Sequence, residues 1–219
     1  MKLLAVRLAR SIWLVPTYFL NPKGIFMRPL IEAMKARYNF LKTPLDNLGP
    51  PPAGEGYKFE NGGYNSKSGT ILIVSVTMHD DGIVVDTKSS TDDGDAFLED
   101  LLSWGNKEYG LPSYAELPIK RIYVSELNVA FSKTPVIFNS KLAPFLNEVG
   151  SIIGDERRGK TDFQGFQLST DPEFSDKPPM FRFEREINTA FKENRFYSSS
   201  PTTTAAHIKL LERLEEVAT

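Results

Sequence analysis

The chain has no cysteine. That removes disulfides, thiol nucleophiles and Cys-ligated zinc together. Histidine is almost as scarce: His79 and His207 are the only two, too few for a multi-histidine metal centre within one chain. No stretch approaches the roughly 20 apolar residues of a membrane-spanning helix. Net charge is −2 at pH 7, so no global field draws the chain to nucleic acid or anionic lipid. Nucleic acid is therefore not the favoured partner. Acids are missing altogether from Met1 to Ile31, where Lys2, Arg7, Arg10, Lys23 and Arg28 are basic. Arg7 and Arg10 interrupt the apolar run "LLAVRLARSIWLVP", which therefore lacks the unbroken core of a secretory signal. Trp13, Leu14, Tyr18 and Phe19 are large, core-type residues, which favours a structural first element over a targeting segment. The expected location is cytoplasmic.

What is present is an ordinary globular balance, 41% hydrophobic and 25% charged over 219 residues, enough to bury a sizeable core. Residues 1–20 are ambiguous: Leu4, Val6 and Leu8 alternate as in a strand, whereas Leu4, Leu8 and Ile12 fit a helix. A helix is predicted from Pro29 to about Phe40. Residues 43–69 are dense in proline and glycine and read as a long surface connection, with a short strand at Tyr57–Glu60. Three strand-then-helix units follow. In the first, "TILIVSVTM" and "IVVDTKS" flank a hairpin signalled by Asp81-Gly82, ahead of a helix at about 93–104. The second has a strand over 119–131, whose apolar phase changes between Val124 and Leu127 as at a bulge, and a helix over about 140–153. In the third, strands at 163–169 and 180–187 precede a last helix beginning near Pro201. The expectation is a single α+β domain over 1–219, with a mixed, mostly antiparallel sheet of five to seven strands and four to five packed helices.

Chemistry is concentrated in "HDDGIVVDTKSSTDDGDAFLEDLLSWG", His79 to Gly105. Asp80 and Asp81 suit a tight turn, and Asp92, Asp93 and Asp95 suit the start of a helix, with Asp92 as the cap. Asp86 is left, mid-strand, in the D-x-K triplet Asp86-Thr87-Lys88. That triplet has the form found in restriction-endonuclease-like nucleases, where a carboxylate binds Mg²⁺ and a lysine steadies the attacking water. Pairing of Met78 with Ile83 would set Ser75 opposite Asp86 and leave Asp80 and Asp81 roughly 15 Å away along the strand. Glu32 is the available second ligand, and a third is missing. Gly154 to Thr161 formally fits the phosphate-loop spacing, ending in Gly159, Lys160 and Thr161. Its context is inverted, because it follows a helix and precedes a strand pattern, whereas a working phosphate loop does the reverse.

Fifteen Phe, eight Tyr and two Trp exceed what one sheet core requires. In the C-terminal third, aromatics are interleaved with cations, and Phe174, Phe196 and Tyr197 are the candidates for an exposed contact surface. The resulting expectation is a non-catalytic protein-interaction or assembly subunit without a cofactor, acting through a protein partner or self-association. The alternatives are a Mg²⁺-dependent nuclease or phosphohydrolase using Asp86, Lys88 and Glu32, and nucleotide binding at 154–161.

Overall fold

Both apolar rhythms of the N-terminal segment cannot be satisfied at once, and in the computed structural model of the chain the strand prevails. Lys2–Leu14 is β1, with Ala9, Ser11 and Trp13 buried and Arg10, Ile12 and Leu14 half-buried on the other face. This phase puts the indole inside and leaves Arg10 on the side where it meets a carboxylate. The structure describes residues 1–22, 24, 27–44, 55–66, 69–135, 143–157, 164–171, 173 and 179–218.

After β1 come the short α1 (Thr17–Leu20), α2 (Met27–Tyr38), β2 (Tyr57–Ser66), β3 (Gly69–His79), β4 (Gly82–Thr87) and α3 (Thr91–Tyr109). They are followed by β5 (Lys120–Ala130), α4 (Ala143–Arg157), β6 (Gly165–Ser169), β7 (Met180–Arg185), β8 (Arg195–Ser200) and α5 (Thr204–Ala218). Among the described residues the fold is α+β with one eight-stranded sheet, ordered β2-β3-β4-β1-β5-β8-β7-β6, and five α-helices. Eight strands replace the expected five to seven, because β1 is ambiguous in sequence and β8 hides in a serine-rich run. The chain falls into two compact units. One is Val6–Glu126 with Pro201–Ala206; the other is Met1–Ala5, Leu127–Ser200 and His207–Thr219.

In the first unit, α2 and α3 pack on the sheet face carrying Trp13, Phe59, Ile73, Val76, Ile83 and Val85. Leu30, Ile31, Met34 and Tyr38 come from α2, and Phe97, Leu98, Leu101 and Leu102 from α3. Ile73 pairs with Thr87 and Ser75 with Asp86, so Val74 is an extra residue on β3. That bulge lets Ile73 and Val76, three residues apart, both face the core, and it turns Ser75 to the opposite face. Opposite it on β2, Asn61 adopts a left-handed φ of 55°. Strand β2 covers ten residues where only a short strand was expected, because its Asn61, Gly62 and Gly63 resemble a loop. The helix α3 starts at Ser90, whose hydroxyl accepts the Asp93 N–H at 3.1 Å, and ends at Gly110 in the left-handed region at φ 64°. Ser90 is therefore the cap expected at Asp92. In β5 the buried positions Ser125, Leu127 and Val129 share one phase, so the apparent phase change reflects a serine in the core.

In the second unit, β6, β7 and β8 pair antiparallel. Phe131, Phe183 and Phe196 form a buried aromatic cluster, with Phe183 and Phe196 stacked at 4.6 Å between ring centroids. The Arg185 guanidinium lies over the Phe191 and Phe196 rings at 4.7 and 5.3 Å and donates to the Phe191 carbonyl at 3.1 Å. From α5, Glu215 accepts both the Ser132 N–H (2.6 Å) and its hydroxyl (2.9 Å). The α4 stripe is exposed at Phe145, Ile152 and Ile153.

Candidate functional site

The acidic hairpin forms in the predicted register: Met78 opposes Ile83, Val76 opposes Val85, and Ser75 opposes Asp86 across a turn at Asp80-Asp81. Strand β1 pairs on the far side of β4 and brings Arg10 opposite Asp86. The Asp86 carboxylate accepts from Arg10 Nε at 2.7 Å and Nη2 at 2.9 Å, and from the Ser75 hydroxyl at 3.2 Å. It is a bidentate ion pair laid across three strands. Hydrogen bonding to Asp86, opposed by the lesser effect of burial, holds the Arg10 guanidinium above its ordinary range. Lys88 is exposed beyond the end of β4, and Glu32 lies exposed on α2 with its carboxylate 3.3 Å from Arg28. Neither makes a hydrogen bond or ion pair with Asp86, so the three nuclease candidates are not brought together. Among the described residues no three His, Asp or Glu side chains are grouped so as to hold a metal ion.

Two further acids of that stretch, Asp95 and Asp100, are committed to side-chain partners. Asp95 accepts from the Trp13 indole N–H at 2.8 Å and the Tyr123 hydroxyl at 2.7 Å, while the Arg121 guanidinium lies 4.1 Å above the Trp13 ring. Burial first, and this bond to Asp95 second, push the Tyr123 phenol up to about 12. Five residues on, Asp100 accepts from the Tyr38 hydroxyl at 2.7 Å and from Arg37 at 3.0 and 3.1 Å. The remaining histidine, His207, is buried with its Nε2 2.9 Å from the Ser198 hydroxyl. That hydroxyl spends its single proton on the Arg182 carbonyl at 2.7 Å, so the imidazole must donate to Ser198. The pair is a structural hydrogen-bond chain, with the polarity opposite to that of an activated nucleophile.

Of the three aromatics expected on a contact surface, Phe196 is 0% exposed and belongs to the core of the second unit, a correction to the sequence reading. It sits on the buried side of β8, whose alternation Phe196, Ser198, Ser200 places all three inside. Tyr197 points the other way and is half-buried. Phe174, and the phosphate-loop candidates Gly159, Lys160 and Thr161, lie outside the described residues.

A concave site does exist where sequence reasoning placed none. In the first unit, a cavity of about 170 Å³ is walled by Leu30, Tyr57, Ile83, Leu102, Tyr109 and Leu111 and edged by Asn21, His79 and Asp80. Its walls come from α2, β2, β4, α3 and the segment after α3, and His79 and Asp80 bring in the hairpin. Each wall residue looks like ordinary core in its own segment, so no local pattern could have revealed the cavity. Beside it, α1 exposes Tyr18 (67%) and Phe19 (39%), with ring centroids 4.4 Å apart. No family model, curated protein or solved structure matches this chain.

Proposed function

We propose that the chain is a non-catalytic protein-interaction subunit that receives one apolar side chain of its partner in the cavity between α2, α3 and the acidic hairpin. The observation that carries this reading is the coincidence of an apolar cavity, an exposed aromatic pair and an acidic rim in one place. Apolar cavities of about 150 Å³ accept a benzene ring, so about 170 Å³ suits one aromatic or branched aliphatic anchor. Binding energy at protein interfaces concentrates in such anchors seated in desolvated pockets. Asp80, exposed at the rim, complements a lysine or arginine flanking the anchor. The reading also agrees with Asp86, Asp95 and Asp100 being engaged in an ion pair and tyrosine contacts.

The test is selection from a displayed peptide library on the immobilised full chain. Enriched peptides should share an aromatic or branched aliphatic residue next to a cation. Leu111→Phe, which fills the cavity, and Asp80→Lys, which reverses the rim, should each weaken the selected peptide by roughly tenfold or more without lowering the melting temperature. Selected peptides that bind both variants undiminished would place the contact surface elsewhere.

A further inference from the structure

A second cavity, about 270 Å³, opens elsewhere in the first unit and has the opposite character. Its walls are polar: Arg37 and Asn39 at the end of α2, Tyr64 and Asn65 on β2, Thr70 on β3 and Asp100 on α3. The Arg37 guanidinium and Asp100 carboxylate are 3.0 Å apart, so their charges cancel within the wall. An anion would have to displace Asp100 from Arg37, and a cation would have to displace Arg37 from Asp100. Ionic ligands are thereby disfavoured. Both groups are also held still. The carboxylate is pinned by the Tyr38 hydroxyl at 2.7 Å, and the guanidinium lies over the Trp104 ring at 5.5 Å.

The remaining groups are neutral, and their hydrogen-bonding capacity is open. The Thr70 hydroxyl donates to the Asn65 carbonyl oxygen at 2.8 Å, which orients that amide and leaves its NH₂ without a partner among the described residues. Asn39, at a left-handed φ of 51°, makes no side-chain hydrogen bond among the described residues. Tyr64 is half-buried, its ring edge-on to Phe97 at 5.7 Å. Burial first, then the negative charge of Asp100 and Glu99, raise its phenol further above neutrality, and the hydroxyl is a donor. The cavity thus offers both donors and acceptors, carries no net charge and has an aromatic ring in one wall. The chemistry that complements it is a dense set of neutral hydroxyls, each able to donate and accept at once.

We propose that this cavity binds a neutral sugar residue through Asn39, Asn65, Tyr64 and the Arg37–Asp100 pair. It is a separate cavity from the one assigned to the partner's anchor, and the proposal stands independently of that assignment.

Saturation-transfer NMR on the full chain tests it, with glucose, galactose, mannose and N-acetylglucosamine as neutral probes and inorganic phosphate and glucose 6-phosphate as charged ones. At least one neutral sugar should bind with a dissociation constant on the order of 1 mM. Its affinity should hold between roughly 50 mM and 500 mM salt, because no unpaired charge takes part. Asn65→Ala and Asn39→Gly should each weaken it by about tenfold. Both side chains are exposed and glycine keeps the left-handed backbone at 39, so the melting temperature should stay put. Absence of binding by every neutral sugar would overturn the proposal. So would binding that survives both substitutions, or preferential, salt-sensitive binding of a phosphate-bearing probe.

Discussion

Asp86 has the local sequence of a metal ligand and the surroundings of a structural ion pair. Its two oxygens meet the two nitrogens of one guanidinium, and the Ser75 hydroxyl adds a third donor. Removing the carboxylate strands Arg10 and Ser75 together, and hydrogen bonds to charged groups are worth about 1.5–3 kcal/mol. Asp86→Ala should therefore lower unfolding free energy by about that amount, as measured by urea denaturation. A variant of unchanged stability that had lost a Mg²⁺-dependent phosphodiesterase activity would restore the nuclease reading. At the start of α3 a hydroxyl and a neighbouring acid contribute differently. Ser90 is the cap of α3, so Ser90→Ala should cost about 1 kcal/mol. Asp92, exposed in the first turn, contributes only through the helix dipole, and Asp92→Ala should cost less than about 1 kcal/mol. Thermal unfolding of the pair in parallel decides the order. Equal losses would mean that the cap is shared.

Among the elements, strand β2 shows why some of the fold was hidden from sequence. Phe59 and Gly62 are both buried although they are three residues apart, and the kink at Asn61 that allows it is built from residues that also make loops. The ring of Phe40 occupies the place where a side chain on residue 62 would stand. Gly62→Ala must push that ring off Phe59, its neighbour at 5.2 Å, and overpacking of this kind costs about 1–3 kcal/mol. Near-ultraviolet circular dichroism and denaturation should show both the disturbed aromatics and the loss. An unaltered spectrum at full stability would mean that the sheet can yield at residue 62. The β3–β4 register was legible because the Asp81-Gly82 turn sets it, and the apolar face of α3 because helical spacing puts one face inside. Strand β8 was not, since its buried Ser198 and Ser200 are satisfied by hydrogen bonds that no hydropathy pattern records. The Arg10–Asp86 pair was half legible. The hairpin gave the Ser75–Asp86 register, but Arg10 arrives from 76 residues away and depends on β1 being a strand. The two cavities were illegible for the same reason, each drawing its walls from several distant segments.

For the molecule as a whole, two acids of the stretch His79 to Gly105 act as anchors for phenols. On α3, Asp95 holds Tyr123 and Asp100 holds Tyr38, so the helix is bonded through carboxylates to β5 on one side and α2 on the other. Both phenols are pushed up by burial first and by their carboxylate partners second, Tyr123 to about 12. An unfolded tyrosine titrates near pH ~10. Below that pH both states keep the proton, and the stabilising contribution of each phenol is fully present. Between about pH 10 and about pH 12 the unfolded chain releases the Tyr123 proton while the folded chain retains it, so stability falls with rising pH. Above about 12 Tyr123 adds no further slope. Urea denaturation at stepped alkaline pH should therefore show a steeper decline in the natural chain than in Tyr123→Phe, which lacks the ionisable hydroxyl but keeps the ring. The difference should open near pH ~10 and level off near pH ~12. Parallel profiles across that window would mean that the Tyr123 phenol titrates alike in both states, and the bond to Asp95 would then hold no proton against alkali.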